Sequence, residues 1–141
     1  SHVHTIASVS DIYRRTMRTN TSTDTNIATF SSAFGVGQFV AADMRYIRIS
    51  NLDNTNHVIL TLTNSNSDEV AVKLDKGQSF IICPDLTGGV AVTSFELSAS
   101  TTGGAVTNGT LTFTPGVQDL TSISAKADTA SVDIELYMAM V

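Results

Sequence analysis

The sequence has a single cysteine, Cys83, so no disulfide can form within the chain. It has no tryptophan, only two prolines and few charges. Asp, Glu, Lys and Arg make up 15% of its 141 residues, against about 25% in an average globular protein. Only 3 of those residues are lysines. Long exposed helices draw on Lys and Glu, so their shortage argues against a helical architecture. No stretch approaches about 18 consecutive apolar residues, which excludes a membrane-spanning helix. The opening residues SHVHTIASVS lack the apolar core of a secretory signal, and the expectation is synthesis in a reducing cytoplasm. Aromatic residues, at 6%, are too few to build a carbohydrate-stacking platform with any ease.

Ser and Thr take the place of the missing charges, with 16 and 20 copies. Thr is β-branched and fits a pleated, half-buried surface. A chain of this length forms one domain and buries about two thirds of its extended surface, so it needs no disulfide or metal to hold it together. The formal net charge is −5, unevenly spread. Residues 1–76 carry seven basic and seven acidic side chains, whereas residues 77–141 carry Lys126 against six carboxylates. Such asymmetry permits head-to-tail or arm-to-body contact between opposite charges. An acidic body argues against nucleic-acid binding, which needs a basic stripe.

Residues 1–26 read as an extended N-terminal arm and residues 27–141 as the folded domain. The arm holds Arg14, Arg15 and Arg18, three of the five arginines, followed by the polar run Thr19 to Asn26 with no apolar anchor. A run of that kind cannot order itself by packing. Arginine's planar fork suits carboxylates across an interface, so Arg14, Arg15 and Arg18 are the candidate partner-docking residues.

From Ile27 onward short strands alternate with turn signals. Ile27–Phe30 opens the series, and Gly35-Val36-Gly37 interrupts it. In 45–50, Ile47 and Ile49 alternate with Tyr46 and Arg48, the period of a half-buried strand. Asn-rich turns at 51–56 and 64–68 flank a strand with Val58, Leu60 and Leu62 on one face, and Val70, Val72 and Leu74 follow. Together these predict a three-strand meander. The apolar run Gln78–Cys83 predicts a strand covered on both faces, ended by Pro84. Phe95 with Leu97 and Leu111 with Phe113 anchor further strands, separated by a loop or hairpin end at 100–109. Residues 121–125 form a weak strand. Val132, Ile134, Leu136, Met138 and Met140 alternate with Asp133, Glu135, Tyr137 and Ala139, and predict a strand central to the core. Eight or nine strands with no helical period predict an all-β class and an antiparallel β-sandwich, of which the jelly roll is one form, while their order cannot be read from the spacing.

Chemistry-bearing patterns are sparse. His2 and His4 have the spacing of strand neighbours on one side, but no third ligand accompanies them, and His57 opens a strand after a turn. Cys83 sits in an apolar run without a nearby base and is expected to be a buried, inert thiol. Neither a Walker loop nor a G-x-S-x-G elbow occurs, and Val40 stands where Gly35-Val36-Gly37 would need a third glycine. Asp133 and Glu135 pair on one strand face, where the expectation is two solvated carboxylates. The Asn/Asp turns at 53–56 and 64–68 offer oxygen ligands for calcium but lack the EF-hand glycine and glutamate. The reading is of no catalytic residue, no cofactor and no metal, hence no enzyme.

Two segments resemble small β-sandwich virion proteins of tailed bacteriophages, of the capsid decoration or cement type. One is Arg45 to Asp53, running on to Leu74-Asp75-Lys76-Gly77-Gln78-Ser79-Phe80; the other is Ile123 to Tyr137. The shared pattern is a strand ending in Asn, a second strand, Leu-x-x-Gly before an apolar strand, and a small-residue turn into an acidic, alternating final strand. It covers about half of the chain and leaves the arm and residues 84–120 outside. The resemblance implies a structural role in the virion: a homo-oligomer, a trimer by expectation, bound to the major capsid protein or other virion proteins. It further implies synthesis in the host bacterial cytoplasm, and the expectation is that neither nucleic acid nor membrane is a partner. The competing functions are a phage tail component, a lectin-like receptor-binding module and a small hydrolase on a jelly-roll scaffold.

Overall fold

The computed structural model describes residues 8–83 and 119–141, together with Val3, Thr5 and Ile6. The strands are β1 (Asp11–Thr19), β2 (Thr25–Ser31), β3 (Phe39–Val40), β4 (Met44–Asn51), β5 (Val58–Asn64), β6 (Glu69–Leu74), β7 (Ser79–Ile82), β8 (Leu120–Ala127) and β9 (Val132–Met140). One 3-10 turn, Ala41–Asp43, separates β3 from β4. Among the described residues there is no α-helix, so the all-β class holds. The strands predicted around Phe95 and Phe113, the loop between them and Pro84 lie outside the described residues.

The pairing follows one rule. β5 pairs with β6, β4 with β7, β2 with β8 and β1 with β9, each antiparallel. The chain is thus folded as nested pairs, like a single long hairpin, and the hairpin is rolled into two layers. One sheet has the order β1-β9-β4-β7 and the other β3-β2-β8-β5-β6. Among the described strands only the short β3 runs parallel, beside β2.

The core lies between the two sheets, and alternation puts it there. β5 turns Val58, Leu60 and Leu62 inward, and β9 does the same with Val132, Ile134, Leu136 and Met138, all fully buried. β9 sits between β1 and β4, which explains why its apolar alternation is the clearest in the sequence. Among the described residues three bulges correct the phase elsewhere. Arg45 is the extra residue that brings Met44 into the core beside Ile47 and Ile49. A second bulge, at Ile27, lets both Ile27 and Ala28 be buried. Thr121 is the third, and its hydroxyl donates to the carbonyls of Thr63 and Asn64 at 3.0 and 3.1 Å.

Buried polar side chains tie the turns to the sheets. The Asn51 amide donates to the Asn56 carbonyl at 3.0 Å and to the Leu74 carbonyl of β6 at 3.1 Å, and its oxygen accepts from the Asp53 N–H at 2.9 Å. It joins the end of a strand in one sheet to the end of a strand in the other. Asn64 organises the β5–β6 turn, accepting from the N–H groups of Asn66 and Asp68, while Ser67 takes the left-handed conformation the turn requires.

Three expectations change. The predicted meander does not form, because β4 lies in one sheet and β5 and β6 in the other. The Asn-rich connection at 51–56 is a crossover between layers, anchored by Asn51, and not a hairpin turn. The run Gln78–Cys83 forms β7, which among the described residues stands at the edge of its sheet and is not covered on both faces. Phe80 and Ile82 turn inward, while Ile81 is 53% exposed on the outer face. Residues 11–19, expected within an arm, form β1, paired with β9 from Asp11↔Met140 to Thr19↔Val132. The boundary expected at residue 26 falls inside β2. The polar run after β1 orders without packing: the Asn20 side chain accepts from the N–H groups of Ser22 and Thr23, and its carbonyl accepts from the Ala127 N–H.

Candidate interaction surface

The outer faces of the two sheets differ in chemistry. On the β5 sheet hydroxyls hold the middle of the outer face, with Thr61 and Thr63 beside Ser124 and Ser122 of β8, while Ile59 stands between Lys73 and Lys126. On the β9 sheet the outward positions are charged and aromatic. The register sets Arg14 of β1 and Arg48 of β4 on either side of Tyr137, and Tyr46 beside Ala139. Glu135 is one step along β9 from Tyr137 on the same face, within reach of both arginines.

Arg14 donates through Nε to Glu135 Oε2 at 2.7 Å, and Arg48 donates through Nη2 to Oε1 at 3.0 Å. Two guanidinium groups share one carboxylate. The hydrogen bond from Arg14 holds Glu135 below the usual carboxylate range; burial opposes this, and Arg48 reinforces it. Arg48 also lies over the Tyr137 ring, 5.4 Å from its centroid, and Tyr46 meets Tyr137 edge to face at 6.1 Å. The cluster carries one more positive than negative charge on a chain of net charge −5. Ile12 of β1 and Ile81 of β7, both more than half exposed, stand at its two sides.

The three predicted docking arginines are separated by strand geometry. Arg14 is occupied by Glu135 yet remains largely exposed, and Arg18 lies 4.0 Å from Asp133. Arg15 has the opposite orientation. It stands across from Leu136, on the inward side of β1, and is exposed there, with no hydrogen bond or ion pair among the described residues. Asp11 and Tyr13 share that side of β1. They border an open groove of about 310 Å³, lined also by Phe34, Phe39, Val40, Asp43 and Met140. Tyr13 packs edge to face on Phe39 at 5.0 Å, while Phe34 is 89% exposed.

The expectation of two solvated carboxylates on β9 holds for Asp133 alone, since Glu135 is buried beneath its arginines. Cys83 is exposed and not buried. It follows an edge strand, so one flank of its backbone lacks a neighbouring strand among the described residues. Its thiol faces the Arg45 carbonyl at 3.8 Å. The Asp53 carboxylate is taken up by its own turn, accepting from the N–H groups of Asn56 and Thr55, which lower its pKa. His57 lies 3.6 Å from Asp128. Among the described residues no three His, Cys, Asp or Glu side chains converge as a metal site would need, and His2 and His4 lie outside them.

The sequence reading did not single out Arg48, Tyr46 or Tyr137. Their alternation with buried neighbours marked them as outward-facing, but only the adjacency of β4 and β9 unites them. No family model, no curated protein and no solved structure matches this chain.

Proposed function

We propose that this chain is a structural virion protein of a tailed bacteriophage, a capsid decoration protein that binds the assembled shell as a homo-oligomer and strengthens it. The observation that carries the reading is the nested strand pairing. Rolled into the orders β1-β9-β4-β7 and β3-β2-β8-β5-β6, it supports a jelly roll, an architecture used by viral capsid and lectin domains. Fold alone does not assign function. The resemblance of residues 45–80 and 123–137 to phage decoration proteins adds to it. So does the outer face of the β9 sheet, where Arg14, Arg48, Tyr46 and Tyr137 gather arginine and tyrosine, residue types enriched at protein interfaces. Many copies on a shell raise apparent affinity without any single strong contact. On this reading the chain is made in the bacterial cytoplasm and ends in the virion, and it catalyses no reaction.

A second reading, a receptor-binding or tail module, is favoured by the groove beside Tyr13, Phe34 and Phe39. Electron microscopy of virions from the phage encoding the chain, labelled with an antibody to it, separates the two. Label spread in a lattice over the capsid is the expected result. Label confined to the tail favours the second reading, and unlabelled particles overturn both.

A further inference from the structure

Strand β1 is an edge strand of nine residues, and among the described residues no strand pairs with its outer side. Its outward backbone groups are therefore a template for another strand. Natural proteins block such edges with charges that point inward, and Arg15 is placed in that way. It would lie against the inner side chains of any strand that docked there. Yet Asp11 stands on the same side of the same strand, four positions before it, with no ion-pair partner of its own among the described residues.

From this arrangement we infer that β1 pairs antiparallel with β1 of a second copy, about a two-fold axis at Tyr13. In that register Asp11 faces the partner's Arg15, and Arg15 faces the partner's Asp11, so the guard charge is neutralised twice. Inner faces stay inward only if the paired numbers share parity. The next such register, centred on Arg14, sets Arg14 opposite the partner's Arg14. The one centred on Ile12 sets Asp11 opposite the partner's Tyr13. The register at Tyr13 alone places opposite charges face to face, and like charges directly across a strand pair are destabilising.

The apolar residues agree. Val9, partly exposed, comes opposite the partner's Met17. Ile12, 57% exposed, comes opposite the partner's Arg14 and is covered by its aliphatic stem. The contact is isologous, as two-fold contacts are, and the nearby groove with its rings lies at its rim. Other strands meet Arg15 without a matching carboxylate, so the same residue that excludes foreign edges admits a second copy.

The inference rests on the oligomeric part of the proposed function and adds the contact itself. A two-fold contact gives a dimer, or a hexamer if a three-fold contact also exists. The test is sedimentation equilibrium of the full chain and its charge variants. Asp11→Arg and Arg15→Asp should each weaken self-association by about tenfold or more, a change of about 1.4 kcal/mol. An equimolar mixture of the two variants should restore it, because each supplies the charge the other lacks, and the double variant D11R/R15D should restore it alone. Recovery in the mixture also shows that both variants fold. An oligomer that neither substitution weakens, or a mixture no better than its components, overturns the β1 contact and leaves the oligomeric reading standing. A monomer at hundreds of micromolar overturns both.

Discussion

Asn51 is the side chain whose replacement should reveal most about how the layers are held together. It is 2% exposed, donates to the Asn56 and Leu74 carbonyls and accepts from the Asp53 N–H. Asn51→Ala removes three hydrogen bonds of about 0.5–1.5 kcal/mol net each. Solvent can reach the Asn56 and Asp53 ends in part, so the expected loss is about 2–4 kcal/mol. For 141 residues that lowers Tm by about 7–14 °C. Asn51→Asp is the sharper probe. It keeps the acceptor for Asp53 N–H but turns a carboxylate toward two carbonyl oxygens in a buried site. The folded-state pKa of the new group rises above its unfolded value of about 3.9, since burial and the carbonyls both disfavour charge. Its penalty is then full above the folded pKa and shrinks as pH falls through it. Below the unfolded pKa it is gone, because the protonated acid again donates to one carbonyl. Urea unfolding of the parent, Asn51→Ala and Asn51→Asp at a series of pH values measures this. Asp should be the less stable variant at pH 7 and should close on Ala or pass it in acid. If Asp matches Ala at pH 7, or their gap is independent of pH, Asn51 does not bind the crossover as described.

Leu136→Ala, at the centre of β9, should cost about 2–5 kcal/mol, while Ile81→Ala on the outer face should cost under about 1 kcal/mol in the same denaturant titration. Equal losses would place β9 outside the core. The stabilisation held by ionised Glu135 is present at neutral pH and fades as pH falls below the ordinary glutamate value of about 4.3 toward its lowered folded value. Glu135→Gln should flatten that part of the stability profile, and an unchanged profile would show that the arginine pair does not sense the carboxylate. Cys83, exposed beside an edge strand, should react with an aromatic disulfide reagent in the native state, and protection until unfolding would contradict its placement.

Strand content was readable because it depends on alternation, a local property. Val58, Leu60 and Leu62, or Ile47 and Ile49, announce both the strand and its buried face. The layer to which a strand belongs is not local. The Asn-rich segment 51–56 has the composition of a hairpin turn, yet it crosses between layers, and the buried amide of Asn51 reaches Leu74 of the other sheet. Composition misled at β1 for the same reason. Its inward residues Asp11, Tyr13, Arg15, Met17 and Thr19 show no apolar period, and what holds it is backbone pairing with β9. Of the candidate surface, the arginines at 14, 15 and 18 stood out as a cluster, yet alternation along β1 sends Arg14 and Arg15 to opposite faces. Glu135 was read as solvated because neither Arg14 nor Arg48 lies near it in sequence.

Nested pairing also dictates an order of assembly. The innermost pair, β5 with β6, closes across the short turn in which Asn64 and Asp68 are four residues apart. The outermost, β1 with β9, joins groups such as Arg14 and Glu135, separated by 121 residues. Loop-closure entropy rises with the length enclosed, and non-local pairing slows folding. The chain should therefore zip from the β5–β6 hairpin outward, and β1 should dock last. During synthesis the docking site for β1 does not exist until β9 has left the ribosome. Until then β1 and its unpaired edge are exposed together in every nascent copy, so on a crowded polysome the guard charge of Arg15 matters before the fold is complete.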